Sequence, residues 1–374
     1  MIQRPIGWSR VPVCKHGTMR VHNFGAGPCA LPLEVLEEVR EEFPDYRGTG
    51  MTVVEMSHRS ADYQQIHDEA KELARKVSGA PDDFEILFLQ GGATLQFTMV
   101  PMNLLGDGQR AGYLVTGAWG KKALADAVAY GGYPAWSGAD TGFTTMPAPA
   151  DATVEEGTRY LHVTSNETIG GIRLVDLPDG DVPLVNDMSS DYLARPIAWD
   201  RHDIVYGGVQ KNLAPAGMAL VFIRRSAVEP RDDLGTYLRY STHVEGDSLA
   251  NTPAMFQTYV MGKVLAHLEK SGGIAGLEER SAAKSSLVYE AIEASEGFYR
   301  SPVDPAVRSH TNVVWRLPSE ELEKEFVARA TAAGMIGLKG HRSVGGIRAS
   351  LYAATEMPTV EVLVEFMADF AAGH

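Results

Sequence analysis

The sequence has few cysteines, no long uncharged apolar run and no excess of positive charge. Only two of its 374 residues are cysteine, Cys14 and Cys29, which argues against a disulfide framework and fits a reducing cytoplasm. No segment reaches the roughly 18 apolar residues expected of a membrane-spanning helix, and residues 1–20 lack the apolar core of a secretory signal. The net charge of −14 argues against a general nucleic-acid surface. We therefore expect a cytoplasmic protein that binds neither membranes nor nucleic acids, and whose anionic ligands need a local basic pocket.

Short apolar runs alternate with helical patterns along the chain, and 44% of the residues are hydrophobic, enough for a sizeable core. Helical spacing of apolar residues predicts helices over residues 31–42, 61–78, 94–105 and 119–130. Apolar runs predict strands over residues 84–89, 112–115, 160–163, 182–186, 203–206 and 219–223. This alternation is typical of an α/β fold with a mostly parallel sheet that is covered on both faces.

The order of the patterns changes near the C-terminus and predicts a smaller α+β domain. Its predicted elements are strands at 312–316 and 347–351 and helices at 319–333 and 358–371. We expect residues 1–30 to form an N-terminal extension and a segment that joins the small domain. The large domain is expected to span 31–274 and the small domain 275–374.

Ligands of parallel sheets bind beyond the carboxyl ends of the strands, so the residues that follow each strand are the candidates for a site. Gly91-Gly92-Ala93-Thr94 lies between a strand and a helix, where backbone N–H groups can approach a phosphate. A tight turn without a ligand is the alternative. Asp187 ends another apolar run, where a carboxylate is costly without a charged partner. The alternative is a turn cap that Asp187 forms with Ser189 and Ser190.

Lys211 follows the next strand and is flanked by small residues, so its pKa can be lowered and its amine can act as a nucleophile. A solvated surface lysine is the alternative. A phosphate turn, an acid and a lysine at successive strand ends meet three needs of pyridoxal phosphate: phosphate anchoring, protonation of the ring nitrogen and covalent attachment. Trp119 could stack on the ring, or it could be a tryptophan of the core.

Six segments of the chain resemble the phosphoserine aminotransferases, which are class V, fold-type-I pyridoxal-phosphate enzymes. They occur in the family's order from about Val21 to the C-terminus, at Asn23–Pro28, Met56–Arg59, Gly91–Phe97, Asn166–Gly171, Gly208–Asn212 and Lys339–Ser350. The last segment, with Lys-Gly-His-Arg followed by Gly-Gly-Ile-Arg-Ala-Ser, is especially specific. The resemblance implies a large domain that binds pyridoxal phosphate and a homodimer.

The resemblance also implies a role for each candidate residue. Lys211 would attach the cofactor and Asp187 would pair with its ring nitrogen, as the two catalytic residues. Further cofactor contacts are implied for Ala93, Thr94, Trp119, Thr168, Gln210, Asn251 and Thr252, the last two reaching the phosphate of the neighbouring subunit. Substrate contacts are implied for His58, Arg59, His341, Arg342 and Arg348, and no metal is implied.

The chain departs from the family in two places. Some members carry an arginine in the glycine-rich turn where this chain has Thr94, so other basic residues would do more in the substrate pocket. The resemblance offers no role for residues 1–18. A helix cap is the alternative for Asn251 and Thr252, and ordinary surface or ion-pair positions are the alternative for the arginines.

The resemblance implies transamination between L-glutamate and 3-phosphohydroxypyruvate, which gives O-phospho-L-serine and 2-oxoglutarate in serine biosynthesis. In bacteria the family also serves pyridoxine synthesis. Two enzymatic alternatives are a desulfurase, which needs a mobile cysteine near the substrate, and a small-amino-acid:pyruvate aminotransferase. A non-catalytic or regulatory pyridoxal-phosphate-binding protein is the alternative from another class.

Overall fold

The structure is a computed structural model that describes residues 20–374. Within them, the strands are β1 (His22–Asn23), β2 (Phe84–Gln90), β3 (Arg110–Val115), β4 (Gly132–Ser137), β5 (Thr158–Thr164), β6 (Asn166–Glu167), β7 (Ile172–Arg173), β8 (Leu184–Asp187), β9 (His202–Gly208), β10 (Met218–Arg224), β11 (Asn312–Trp315), β12 (Met335–Ile336) and β13 (Ile347–Ser350). The helices are α1 (Leu33–Glu42), α2 (Ala61–Ser78), α3 (Gly92–Leu104), α4 (Ala118–Ala127), α5 (Tyr240–Glu245), α6 (Met255–Lys270), α7 (Gly273–Glu293), α8 (Glu320–Ala332) and α9 (Met357–Ala372). Cys14 and most of the predicted N-terminal extension lie outside the described residues.

A seven-stranded sheet forms the centre of the fold, in the order β2-β10-β9-β8-β5-β3-β4. Neighbouring strands are parallel except at β10, which runs antiparallel to both β2 and β9. Thr164 of β5 pairs with Asp187 of β8, and Asp187 pairs with Tyr206 of β9. The carboxyl ends of these three strands therefore lie side by side, and the residues that follow them converge.

Apolar side chains cover both faces of this sheet. Phe88, Leu220 and Phe222 belong to a cluster on one face, together with residues of α2, α6 and α7. Leu87 and Val221 belong to a second cluster on the other face, with residues of α3 and α4. Because successive side chains of a strand point to opposite faces, each strand contributes to both clusters. The predicted α/β fold with a covered, mostly parallel sheet is confirmed.

A third apolar cluster joins α7, α8, α9 and the antiparallel pair β11–β13. Phe24 is fully buried in this cluster, and β1 pairs in parallel with β12, so the segment after residue 20 packs against the C-terminal part of the chain. Helix α7 contributes Leu277 to a cluster on the large sheet and Val288 to the third cluster. The division of the chain at residues 30 and 274 stays a prediction.

The helix ends follow local chemistry. Helix α2 begins after Ser60, whose Oγ accepts a hydrogen bond from Tyr63 N at 3.2 Å, and it ends at Gly79 in the left-handed conformation. The predicted helix 119–130 ends at Ala127 and continues as a 3₁₀ turn at Val128–Tyr130. None of the helices in residues 20–374 is both long enough and apolar enough to cross a membrane.

Candidate active site

A cavity of about 700 Å³ lies at the carboxyl ends of the parallel strands. It brings together the residues Ala93, Thr94, Trp119, Thr168, Asp187, Gln210, Lys211, His341 and Arg348. These residues come from segments that are far apart in sequence. Several of them follow strands of the sheet, as expected, and their ligand-binding roles stay a prediction.

Lys211 lies in the turn that follows β9, three residues after the strand ends at Gly208, and is only 7% exposed. Its Nζ donates a hydrogen bond to Thr168 Oγ1 at 2.5 Å and lies 5.3 Å from the centroid of the Trp119 ring. Burial lowers the pKa of Lys211 to about 8, although the carboxylates of Asp187 and Glu167 act in the opposite direction. The surface-lysine alternative does not hold, and the lowered pKa makes the neutral, nucleophilic form easier to reach than in an ordinary lysine.

Asp187 lies at the end of β8 and is 3% exposed. Its Oδ1 accepts hydrogen bonds from Ser189 N at 2.9 Å and from Ser189 Oγ at 2.6 Å. Burial raises the pKa of Asp187, whereas the Lys211 ammonium and the bonds from Ser189 favour its ionised form. The cap with Ser189 that the sequence offered as an alternative is present, and the carboxylate lines the cavity as well.

The turn between β2 and α3 is shaped for an anion. Gly91 has φ +92°, and a Cβ there would lie 2.7 Å from Leu95 Cδ2, so the turn requires glycine. No side chain caps α3, and Ala93 and Thr94 of its first turn line the cavity. The helix therefore presents its amino end, with its positive dipole and amide donors, to whatever occupies the cavity.

Two polar atoms near the cavity are buried and have no hydrogen-bond partner among the described residues: Trp119 Nε1 and Arg348 Nε. Trp119 lies in the first turn of α4, and the centroid of its ring is 6.4 Å from that of the Phe97 ring. Arg348 reaches from β13 and donates through Nη1 to Thr168 O at 3.3 Å. Burial lowers the pKa of the Arg348 guanidinium. A carboxylate or phosphate group of a ligand would supply the partner that Nε of this half-buried guanidinium lacks.

His341 lines the same cavity, and its Nδ1 lies 2.7 Å from Ser343 Oγ. Burial, together with the cations of Arg348 and Arg342, lowers the pKa of His341. A second cavity of about 610 Å³ lies beyond Arg348, which lines both cavities. Arg348 therefore lies between the main cavity and the space beside the loop that carries Ser343.

Five candidates do not line the main cavity: His58, Arg59, Asn251, Thr252 and Arg342. Arg59 and Arg342 are exposed. Asn251 Nδ2 donates to Gln90 Oε1 at 2.6 Å, and Gln90 Nε2 donates to Thr252 O at 3.1 Å. Asn251 and Thr252 thus lie beside the β2–α3 turn but outside the cavity of their own chain.

The sequence prediction missed Glu167, which is fully buried and accepts hydrogen bonds from the amides of Trp119 and Gly120. It comes shortly after β5, so the rule that selected Asp187 and Lys211 could have found it. Among residues 20–374, no group of three or more His, Cys, Asp and Glu side chains is arranged to hold a metal ion.

The family described as "Aminotransferase class-V" matches residues 21–363 of the chain. The chain therefore has the fold of a class V aminotransferase. The chain is 46% identical over 360 residues to the phosphoserine aminotransferase of Lysinibacillus sphaericus (strain C3-41), covering 96% of this chain and 99% of that protein. The solved phosphoserine aminotransferase from Bacillus circulans subsp. alkalophilus is 47% identical, with a TM-score of 0.93, covering 95% of this chain and 99% of the other. The chain belongs to the phosphoserine aminotransferase family.

A third solved relative, the PLP-bound phosphoserine aminotransferase from Trichomonas vaginalis, is 33% identical with a TM-score of 0.89, and covers 93% of this chain and 100% of the other. The fold is accordingly fold type I, and the protein is an enzyme that depends on pyridoxal phosphate. The residues present fit this cofactor. A buried amine at Lys211, a buried carboxylate at Asp187, the open amino end of α3 and the unpartnered Trp119 Nε1 all meet at one cavity.

Proposed function

We propose that the enzyme transfers the amino group between L-glutamate and 3-phosphohydroxypyruvate, giving O-phospho-L-serine and 2-oxoglutarate in serine biosynthesis. The observation that carries the proposal is the convergence of Lys211, Asp187 and Arg348 on one cavity beside the open end of α3. A related phosphorylated oxo acid of pyridoxine synthesis has the same two kinds of anionic group and belongs to the same substrate class.

The residues that would hold the cofactor divide by its chemical groups. The first turn of α3 with Ala93 and Thr94, together with Gln210, would hold the phosphate. Trp119 would stack on the ring, Thr168 would bind its phenolic oxygen and Asp187 its nitrogen. When bound, pyridoxal phosphate supplies an aldehyde that takes the amino group and a ring that withdraws electrons from the substrate.

Proton transfer is the part of the chemistry that this chain's own residues perform. Lys211 would attach the cofactor before substrate arrives and would then take the proton from the substrate's α-carbon. A pKa of about 8, lowered by burial, makes the neutral form of Lys211 far more abundant near neutral pH than that of an ordinary lysine. Asp187, ionised beside a positive ring nitrogen, would keep that nitrogen protonated.

The substrate's two anionic ends would bind at different residues. Arg348, half-buried with Nε unpartnered, is proposed for the α-carboxylate, because a guanidinium can form two hydrogen bonds with a carboxylate. His58, Arg59, His341 and Arg342 are proposed for the phosphate end. With Thr94 in the turn instead of an arginine, Arg59 and Arg342 would contribute more of the positive charge there.

The state of Cys29 argues against the alternative activity of a desulfurase. A desulfurase needs a reactive cysteine near the substrate, but Cys29 Sγ donates to Lys211 O at 2.6 Å and burial raises the pKa of its thiol to about 12. A thiol held in this way is a poor nucleophile.

The first experiment tests the cofactor and the reaction together. Purified protein loaded with pyridoxal phosphate should be yellow, and reduction with borohydride should attach the cofactor permanently to Lys211, where it serves as a label. L-glutamate should convert the cofactor to its amine form, which a purely regulatory binding protein would not do. A label on Lys121 or Lys122, or no response to glutamate, would contradict the proposal.

The division of the substrate between two ends is tested with two variants. Losing a charge-assisted contact to a desolvated anion costs about 2–5 kcal/mol. Arg342→Ala should therefore lower kcat/KM for phosphoserine strongly and for serine little, whereas Arg348→Ala should impair every amino donor. An equal loss for both donors in Arg342→Ala would refute the division.

The enzyme is proposed to act as a cytoplasmic homodimer, with Asn251 and Thr252 reaching the cofactor phosphate of the neighbouring subunit. Their position beside the β2–α3 turn, outside their own cavity, supports this role. Mixing inactive Lys211→Ala and Asn251→Ala proteins under exchange conditions should restore activity, since one site of the mixed dimer is then intact. A fully active monomer by light scattering would refute the dimer.

A further inference from the structure

Helix α4 begins without a cap of its own. Its N-cap residue is Gly117, which has no side chain, and the helix places Trp119 in its second position. The first amides of a helix have no partner within the helix and need an acceptor when they are buried. The acceptor comes from another segment, the Asn166–Glu167 strand that follows β5.

Glu167 supplies that acceptor with both oxygens of its carboxylate. Oε2 accepts from Trp119 N at 3.1 Å, and Oε1 accepts from Gly120 N at 2.9 Å. Thr116 Oγ1 lies 3.4 Å from Oε1 and also donates to it. These amides are the ones that a capping side chain at residue 117 would satisfy. The negative charge also lies at the positive end of the helix dipole.

Gly117 makes this arrangement possible because a Cβ at that position would lie 2.5 Å from Glu167 Cδ. The carboxylate therefore occupies the space that a side chain of the N-cap residue would take. Glu167 itself is fully buried, which is costly for a carboxylate unless it is hydrogen-bonded and charge-compensated. Burial raises its pKa to about 7, against the amide bonds and the nearby Lys211 cation.

Glu167 and its neighbour Thr168 act on the two sides of Lys211. Thr168 Oγ1 accepts a hydrogen bond from Lys211 Nζ at 2.5 Å. Glu167 fixes the backbone that carries Trp119, whose ring centroid lies 5.3 Å from the same Nζ. A shift of the first turn of α4 would move the indole relative to Lys211. Glu167 at the end of this short strand and Thr168 in the turn after it thus set both the amine and the aromatic surface opposite it.

We propose that Glu167 is a positioning residue: its carboxylate anchors the first turn of α4 and so holds Trp119 over Lys211, where the ring of pyridoxal phosphate binds. The inference rests on the proposed stacking role of Trp119. It assigns Glu167 no contact with the substrate or the cofactor, and its effect on catalysis passes through the indole.

The test measures cofactor affinity of the apoprotein, which does not depend on turnover. Glu167→Gln keeps the size of the side chain but offers one acceptor oxygen, and its NH₂ group faces an amide donor. We expect the Kd for pyridoxal phosphate to rise roughly tenfold and the near-ultraviolet circular dichroism of the apoprotein to change. Asp203→Asn is the matched control, because Asp203 is buried in ion pairs with Arg159 and Arg224 at the start of β9; it should leave the Kd unchanged.

Coupling to Trp119 separates positioning from a general effect on folding. In a Trp119→Ala background, Glu167→Gln should raise the Kd by less than about twofold, since the surface it positions is gone. If the effects of the two substitutions on the free energy of pyridoxal phosphate binding were fully additive, the proposal would be overturned. Gly117→Ala gives an independent route, because the added methyl displaces the carboxylate without removing it, and it should reproduce the Glu167→Gln effect.

The outcomes distinguish this inference from the proposed function. Wild-type protein that fails to bind pyridoxal phosphate would refute the assignment of the site. Wild-type and Asp203→Asn proteins that bind it normally, with Glu167→Gln and Gly117→Ala unchanged, would refute only the role of Glu167.

Discussion

Replacing Lys284 with methionine removes a buried amine that holds one loop of the structure. Lys284 lies on α7, is 2% exposed, and its Nζ donates to Leu351 O at 3.0 Å, Tyr352 O at 2.8 Å and Thr355 O at 2.9 Å. Methionine fills a similar volume but offers no donor. Each abandoned carbonyl costs on the order of 1 kcal/mol, so the three together cost about 3 kcal/mol.

The loss depends on pH because burial, with a smaller contribution from Arg280, lowers the pKa of Lys284 to about 7. Lysine in the unfolded chain titrates near about 10.4. Between these values the unfolded state binds more protons, so the contribution of Lys284 to stability increases as pH rises. From about pH 6.5 to about pH 9 this increase amounts to about 2–3 kcal/mol.

Lys284→Met should therefore destabilise the protein more near pH 9 than near pH 6.5, by about 2–3 kcal/mol. Urea unfolding of wild-type and variant apoprotein at both pH values measures the difference, in which all other titrating groups cancel. Lys270→Met, at an exposed position at the end of α6, is the control and should change stability little at either pH. A destabilisation that is equal at both pH values, or smaller near pH 9, would refute the reasoning.

Three further predictions concern the rest of the molecule. Burial lowers the pKa of His162 to about 3, and its Nε2 lies 2.8 Å from Tyr206 OH, so the wild-type protein should lose stability as pH falls below about 6.5. His162→Gln cannot become charged, so it should lose less stability in urea titrations at successive pH values. Arg316 Nη1 donates a hydrogen bond to Val344 O at 2.6 Å in the loop that carries His341. Arg316→Ala should therefore raise KM for phosphoserine about tenfold, which corresponds to the free energy of one charge-assisted hydrogen bond, and leave kcat almost unchanged; a fall in kcat alone would contradict this. Because burial raises the pKa of the Cys29 thiol to about 12, the peptide that contains Cys29 should resist iodoacetamide in the native protein and react fully in urea, as mass spectrometry can show.

Part of the site could be predicted from the sequence because ligands of parallel sheets bind beyond the carboxyl ends of the strands. Lys211 and Asp187 each follow a continuous apolar run, so their burial and their convergence follow from local pattern and parallel topology. Helix α2 was predicted with its observed bounds, because Ser60 and Gly79 mark its ends chemically. The strand 182–186 begins later, at Leu184, since the preceding proline has no amide to pair.

Other features depend on contacts that a local pattern does not contain. Strand β4 was missed because Gly132–Ser137 includes Pro134, which argues against a strand in a local pattern but is tolerated at the edge of the sheet. A helix was expected after Pro253, but α6 buries several sides, so the sequence has little helical periodicity from which its extent could be predicted. Glu167 has a partner only because α4, from elsewhere in the sequence, brings two free amides to it. Arg59 and Arg342 have the expected chemistry, but their exposed positions on one chain follow from packing that no motif specifies.

The parallel pairing of β1 with β12 has a consequence for the way the chain folds. His22 pairs with Met335 and Asn23 with Ile336, so the two partners are separated by almost the full length of the chain. Beyond β1, Gly27 and Pro28 form part of the wall of the cavity. During synthesis this segment emerges early, yet its partner strand appears only near the end. The wall of the active site is therefore among the late structures to form, and refolding should regain cofactor binding more slowly than it regains the central sheet.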